Sequence, residues 1–125
     1  MQTPIDHALD GLREQFTGHV VDITHEPNGD AVVVVHDVHV GDQYEPSFTW
    51  FGFRISTAYP NADIYPHYIG RVVRRDGNAH GSAVQQVEWQ NREALQLSRR
   101  SNGWSPRRDT ASLKAAKVLA WFAGQ

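Results

Sequence analysis

The sequence predicts an α+β fold: an antiparallel meander of three to four strands covered by an N-terminal helix and a C-terminal helix. Three observations predict it. Apolar residues recur at helical spacing only at the two ends of the chain, period-two alternation fills the middle, and strong turn chemistry separates the alternating runs. A chain of 125 residues is enough for one such layered domain with a real core and too little for two.

Thr3-Pro4-Ile5-Asp6 reads as a helix start, with Thr3 as N-cap, Pro4 at the first helical position and Asp6 near the capping-box position. Ile5, Ala8, Leu9, Leu12 and Phe16 then share one face, and Gly18 suits the C-terminal cap. His19 to His25 is rich in β-branched residues. Glu26-Pro27-Asn28-Gly29-Asp30 is turn chemistry leading into Ala31 to Val40, so the two runs form a hairpin. Ser47 to Ser56 alternates, with Phe51, Phe53 and Ile55 on one face and Trp50 and Arg54 on the other, giving a third strand. Ala58 to Pro66 cannot be a central strand, because Pro60 and Pro66 lack the ladder donor. Tyr68 to Arg74 suits a short fourth strand, Asp76 to Ser82 a loop, and Val84 to Trp89 a weak strand or an irregular segment. Asp109 or Thr110 caps the last helix, whose Ala111, Ala115, Val118, Leu119 and Phe122 share a face before Gly124 ends it.

Hydrophobic residues are 40% of the chain and charged residues 21%, a globular composition. A formal net charge of -2 gives no overall attraction to nucleic acid or anionic lipid, which makes a nucleic-acid partner unlikely on charge alone. The arginines are nevertheless clustered: Arg71, Arg74 and Arg75 in one group, Arg99, Arg100, Arg107 and Arg108 in another. With no cysteine, disulfides and thiolate metal sites are excluded. No segment has a signal-peptide pattern or the length of a membrane span, so the expected location is cytoplasmic. Histidines are numerous but do not suggest a metal centre. His36 and His39, three apart on a strand, point to opposite faces. No cofactor motif is present.

Two stretches carry a resemblance. FRISTAYP (Phe53 to Pro60) and NGWSPRRDTASLKAAKVLAWF (Asn102 to Phe122), joined through Ser98-Arg99-Arg100, resemble the Tyr-Pro step, the site and the Trp-Ser-Pro step before the last helix of the ubiquitin-conjugating superfamily. The match is closest to a cysteine-less prokaryotic branch, related to the ubiquitin-conjugating-enzyme-like and RWD-like folds, and runs from Phe48 to Phe122. It implies a single such domain over residues 1 to 125, with Tyr59, Pro60 and Trp104 in structural roles. It also implies a bacterial ubiquitin-like conjugation pathway, of a kind associated with antiphage defence. The implied partners are a ubiquitin-like protein, an activating enzyme and a deubiquitinase-like metalloprotease. The sequence departs from the family in having no cysteine, no His-Pro-Asn step, and Arg100 where the branch has histidine.

The resemblance places the nucleophile near Leu95 to Ser98. Without a thiol, Ser98 is the leading candidate, since a hydroxyl can accept an acyl group as an oxyester when a base removes its proton. Asp109, His80 and His67 are the candidate bases. Arg99, Arg100, Arg107 and Arg108, with Trp104, are the candidate binding residues, because guanidinium groups pair bidentately with carboxylates. Ser101 and Ser105 are weaker acceptors, one beside the Asn102-Gly103 turn and the other before Pro106. Each residue also has a structural use: Ser98 as a strand-end serine, Trp104 as an anchor for the last helix, and Asp109 as its cap. The alternative function is a catalytically inactive, RWD-like adaptor that binds a ubiquitin-like protein or another partner without a covalent bond.

Overall fold

In the computed structural model of the protein, which describes residues 2–125, the Thr3 side chain accepts the Asp6 N–H and the Asp6 carboxylate accepts the Thr3 N–H. This reciprocal cap starts α1 (Pro4–Gln15). The helix stops at Phe16, whose N–H bonds back to the Leu12 and Glu14 carbonyls. Gly18 is therefore not the cap; it follows in the left-handed region (φ 92°) and turns the chain toward the sheet.

The hairpin forms as its turn residues dictate. β1 (Val21–His25) and β2 (Ala31–His39) pair antiparallel, closed by bonds from the Glu26 N–H to Asp30 and from the Gly29 N–H to Glu26. A bulge between Val35 and Val38, with Asp37 at φ 60°, breaks the regular alternation that the His36/His39 argument assumes. Each histidine has its own carboxylate: His36 with Asp22 at 2.6 Å and His39 with Asp42 at 2.7 Å. Among the described residues no group of three or more His, Cys, Asp or Glu side chains could hold an ion.

β3 (Tyr44–Glu45) and β6 (Val73–Arg74) form a separate two-stranded ribbon. β4 (Phe48–Ile55), β5 (His67–Gly70), β7 (Val84–Trp89) and β8 (Arg92–Leu97) complete the main sheet. That sheet has six strands in the order β1-β2-β4-β5-β8-β7, every neighbouring pair antiparallel. The expected three to four strands are thus too few. Tyr68 to Arg74 divides between the sheet and the ribbon, and β8 forms where no strand is expected. The turn joining β7 to β8 has positive φ at Gln90 (51°) and Asn91 (60°), the geometry usually written Asn-Gly. Without glycine it carries no turn signal.

Both helices lie on one face of the sheet. Leu9 and Leu12 of α1 and Ala115, Val118 and Phe122 of α2 (Ala111–Ala123) share a core with Val33, Val35, Phe51, Phe53, Ile55, Ile69, Leu95 and Leu97. Each large side chain fully buried there is worth about 1.5–3 kcal/mol. A Cβ on Gly11 would stand 3.0 Å from Ser112 Oγ, so α1 and α2 cross closely at that point. Leu119 is only half-buried, while Lys114 occupies the core side of α2 with 3% of its surface exposed. On the opposite sheet face Trp89 stacks on Tyr68 (4.4 Å) and Trp50 (5.8 Å) above Gly52, where a Cβ would lie 2.5 Å from the indole. Among the described residues no helix is long and apolar enough to cross a membrane.

Candidate functional site

The segment from Ser98 to Thr110, between the end of β8 and the start of α2, gathers most of the residues that the sequence points to. Its ends are fixed. The Ser98 N–H bonds to the Ala83 carbonyl at 2.8 Å, and the Thr110 hydroxyl accepts the Leu113 N–H at 3.1 Å, so Thr110 and not Asp109 caps α2. Asp109 instead closes the turn before the helix. Its carboxylate accepts the Ser105 N–H at 2.6 Å, the main reason its carboxyl pKa is lowered; the Lys117 cation, 3.6 Å away, lowers it further.

Trp104 anchors the middle. Its indole N–H donates to the Pro60 carbonyl at 2.8 Å and its ring leans on Tyr59, whose hydroxyl accepts the Ala111 N–H at 3.2 Å. Tyr59, Pro60 and Trp104 therefore tie the Tyr-Pro step to the start of the last helix. The peptide bonds before Pro60 and Pro66 are cis.

Under this segment lies a polar cluster. Lys114 Nζ donates to the Arg99 carbonyl (2.8 Å), Ser101 Oγ (2.8 Å) and Asp63 Oδ2 (3.2 Å). Asp63 also accepts the Ser101 N–H (2.8 Å) and hydroxyl (3.1 Å). Burial lowers the Lys114 pKa, and the Asp63 carboxylate opposes that shift. Above the cluster opens a cavity of about 560 Å³, whose wall includes Arg99, Arg100, Ser101, Lys114, Lys117 and Trp121. Arg99 sits over the Trp121 ring (5.8 Å) and Arg100 over Tyr65 (4.2 Å).

Ser98 is half-buried, does not line this cavity, and its hydroxyl accepts from Gln96 Nε2 at 3.2 Å. No candidate base is among its hydrogen-bond partners in the described residues. His67 lies on β5 opposite Leu97, wholly buried between Phe51 (5.5 Å) and Phe53 (5.0 Å), with neither ring nitrogen hydrogen-bonded. Burial above all, with the Lys114 charge, pushes its pKa down to about 3. One ring nitrogen of His80 is 2.8 Å from the Val72 carbonyl, and the ring packs near Tyr44 and Phe122.

The two arginine groups differ. Arg71 pairs with Glu93, Arg74 with Asp76 and Arg75 with Glu45. Arg99, Arg100, Arg107 and Arg108 are exposed and form no ion pair among the described residues.

Comparison with known proteins adds no relative. No protein-family model, curated protein or solved structure matches the chain. The site therefore rests on its own geometry. Asp63 and Lys114 are not among the residues that the sequence motifs single out. The available signal was the lysine itself, three residues after Ala111 and four before Val118, on a face otherwise apolar.

Proposed function

We propose that the protein is a ubiquitin-conjugating-type domain of a bacterial ubiquitin-like pathway. It accepts an activated ubiquitin-like protein from an activating enzyme as an oxyester on a serine of the Ser98 to Ser101 step, and passes it onward. The resemblance of the Tyr-Pro, Ser-Arg-Arg and Trp-Ser-Pro steps supports the family, and the sheet with both helices on one face is compatible with it. One observation carries the chemistry: the Ser101 hydroxyl lies 2.8 Å from a buried amine on the wall of an open basic cavity, three residues beyond the Leu95 to Ser98 stretch where the resemblance puts the nucleophile. An oxyester needs that kind of neighbour, because a serine has no accessible anion at neutral pH. Incubation with the activating enzyme, the modifier and ATP is expected to give an adduct cleaved by hydroxylamine and resistant to thiol reductants. Loss of that adduct in Ser98→Ala, with Ser101→Ala unaffected, would assign the acceptor to Ser98.

A second reading, the non-covalent adaptor, is favoured by a different observation: Arg99, Arg100, Arg107 and Arg108 are exposed and form no ion pair among the described residues, which leaves them available to a partner's carboxylates. Titrating the modifier without ATP separates the two. Saturable binding with no covalent product when the activating enzyme and ATP are added supports the adaptor and sinks the carrier.

A further inference from the structure

Ser98 and Ser101 are alike in sequence and unlike in surroundings. Ser98 Oγ meets one amide; Ser101 Oγ meets an amine at 2.8 Å and a carboxylate at 3.1 Å, brought from 13 and 38 residues away. The amine is enclosed and the hydroxyl is half-buried at the cavity wall, open to a ligand. The cluster's three oxygens match the three hydrogens of a charged Lys114. Once Lys114 gives up one proton, its two remaining hydrogens still serve Asp63 and the Arg99 carbonyl, and its lone pair is left for the Ser101 hydroxyl, which turns to it from Asp63 Oδ1.

We propose that Ser101 is the acyl-accepting nucleophile of this protein, with Lys114 as the base that takes its proton and Asp63 as the positioning residue for both. In the step, Ser101 Oγ attacks the carbonyl carbon of an activated acyl donor, a thioester or acyl adenylate. The Oγ–C bond forms, the bond from carbon to the leaving group breaks, and the hydroxyl proton passes to Lys114 Nζ and on to the departing group or solvent. Asn102, Arg99 and Arg100 on the same wall are the available donors to the developing oxyanion. The proposal rests on the function given above only for the identity of the donor; the reactivity of the hydroxyl belongs to the cluster itself.

A fluorophosphonate tests this on the full chain without any partner. Attack forms an O–P bond, fluoride leaves, and the modified residue is mapped by peptide mass spectrometry. The expected result is modification at Ser101, at a rate that rises with pH as Lys114 loses its proton. Lys114→Arg keeps the cation but cannot give up its proton, and is expected to slow modification by roughly 100-fold or more. Asp63→Asn removes the charge that holds the proton on Lys114, so the midpoint of the pH profile should move to lower pH. Modification at Ser98, no modification of the unaltered chain, or an unchanged rate in a Lys114→Arg protein with an unaltered melting curve would each overturn it. If Lys114→Arg does not fold, Ser101→Cys and Ser98→Cys supply the second comparison. The thiol at 101, beside the amine, should react with iodoacetamide about tenfold faster or more, and equal rates count against the proposal. The two ideas fail separately. Labelling at Ser101 with no ATP-dependent adduct sinks the conjugation pathway and keeps the nucleophile; an enzyme-made adduct on Ser98 does the reverse.

Discussion

Two buried ionisable side chains, His67 and Lys114, are near neighbours in the fold and are handled in opposite ways. His67 is enclosed by Phe51 and Phe53 with neither nitrogen hydrogen-bonded, and the protein keeps it neutral. Lys114 is also buried, though at the edge of the open cavity, and three oxygens surround its nitrogen, one of them a carboxylate. Burial alone disfavours charge in both cases. What separates a packing group from a chemical one is the supply of partners. The aromatic region gives His67 nothing to exchange a proton with, whereas the cavity side gives Lys114 a hydroxyl, a carboxylate and a path to a ligand.

The largest effect that would break this contrast is the loss of the amine. Lys114→Met leaves the Asp63 charge half-buried and unpaired and frees the 99–101 turn. We expect a loss of about 3–5 kcal/mol in urea unfolding at neutral pH. A loss under about 1 kcal/mol would mean that the cluster does not hold the segment.

Acid comes next. Folding lowers the His67 pKa from 6.5 to about 3, so between those values the unfolded chain binds the extra proton. The stability that depends on neutral His67 is therefore fully present above pH 6.5 and is lost as pH falls, by up to about 1.4 kcal/mol per pH unit. His67→Leu should flatten that part of the stability profile, measured by denaturant unfolding from pH 7 to 4. An unchanged slope would show that another group causes the acid sensitivity.

Asp63→Asn keeps a side chain of the same shape and removes the carboxylate from the cluster. It should cost about 1.5–3 kcal/mol at neutral pH, the worth of hydrogen bonds to a charged group. Smaller still is Trp104→Phe, which loses one hydrogen bond to the Pro60 carbonyl at the edge of the site. About 0.5–1.5 kcal/mol is expected, with little change at Ser101.

The same contrast explains what the sequence could and could not reveal. Local rules recover local structure. The Thr3 cap, the Glu26 to Asp30 turn and the inward Phe51, Phe53 and Ile55 are legible because residues a few positions apart determine them. β8 is hidden, because backbone geometry at Gln90 and Asn91 makes a turn that their side chains do not advertise. Asp109 has the chemistry of a cap and Thr110 does the work, a difference of one position that the spacing leaves open. The site is the least legible part. Trp104 and Tyr59 pack together beside the last helix, but Asp63 reaches Lys114 across 51 residues. Only the tertiary fold brings a loop carboxylate, a helix amine and the Ser101 hydroxyl into one cluster.

Whether Ser101 carries the modifier is read from the intact mass of the chain after reaction with the activating enzyme, the ubiquitin-like protein and ATP. The expected result is a mass gain of one modifier less one water, stable to thiol reductant, removed by hydroxylamine and mapped to Ser101. No mass gain, or a gain that resists hydroxylamine because it is an amide on lysine, would contradict it.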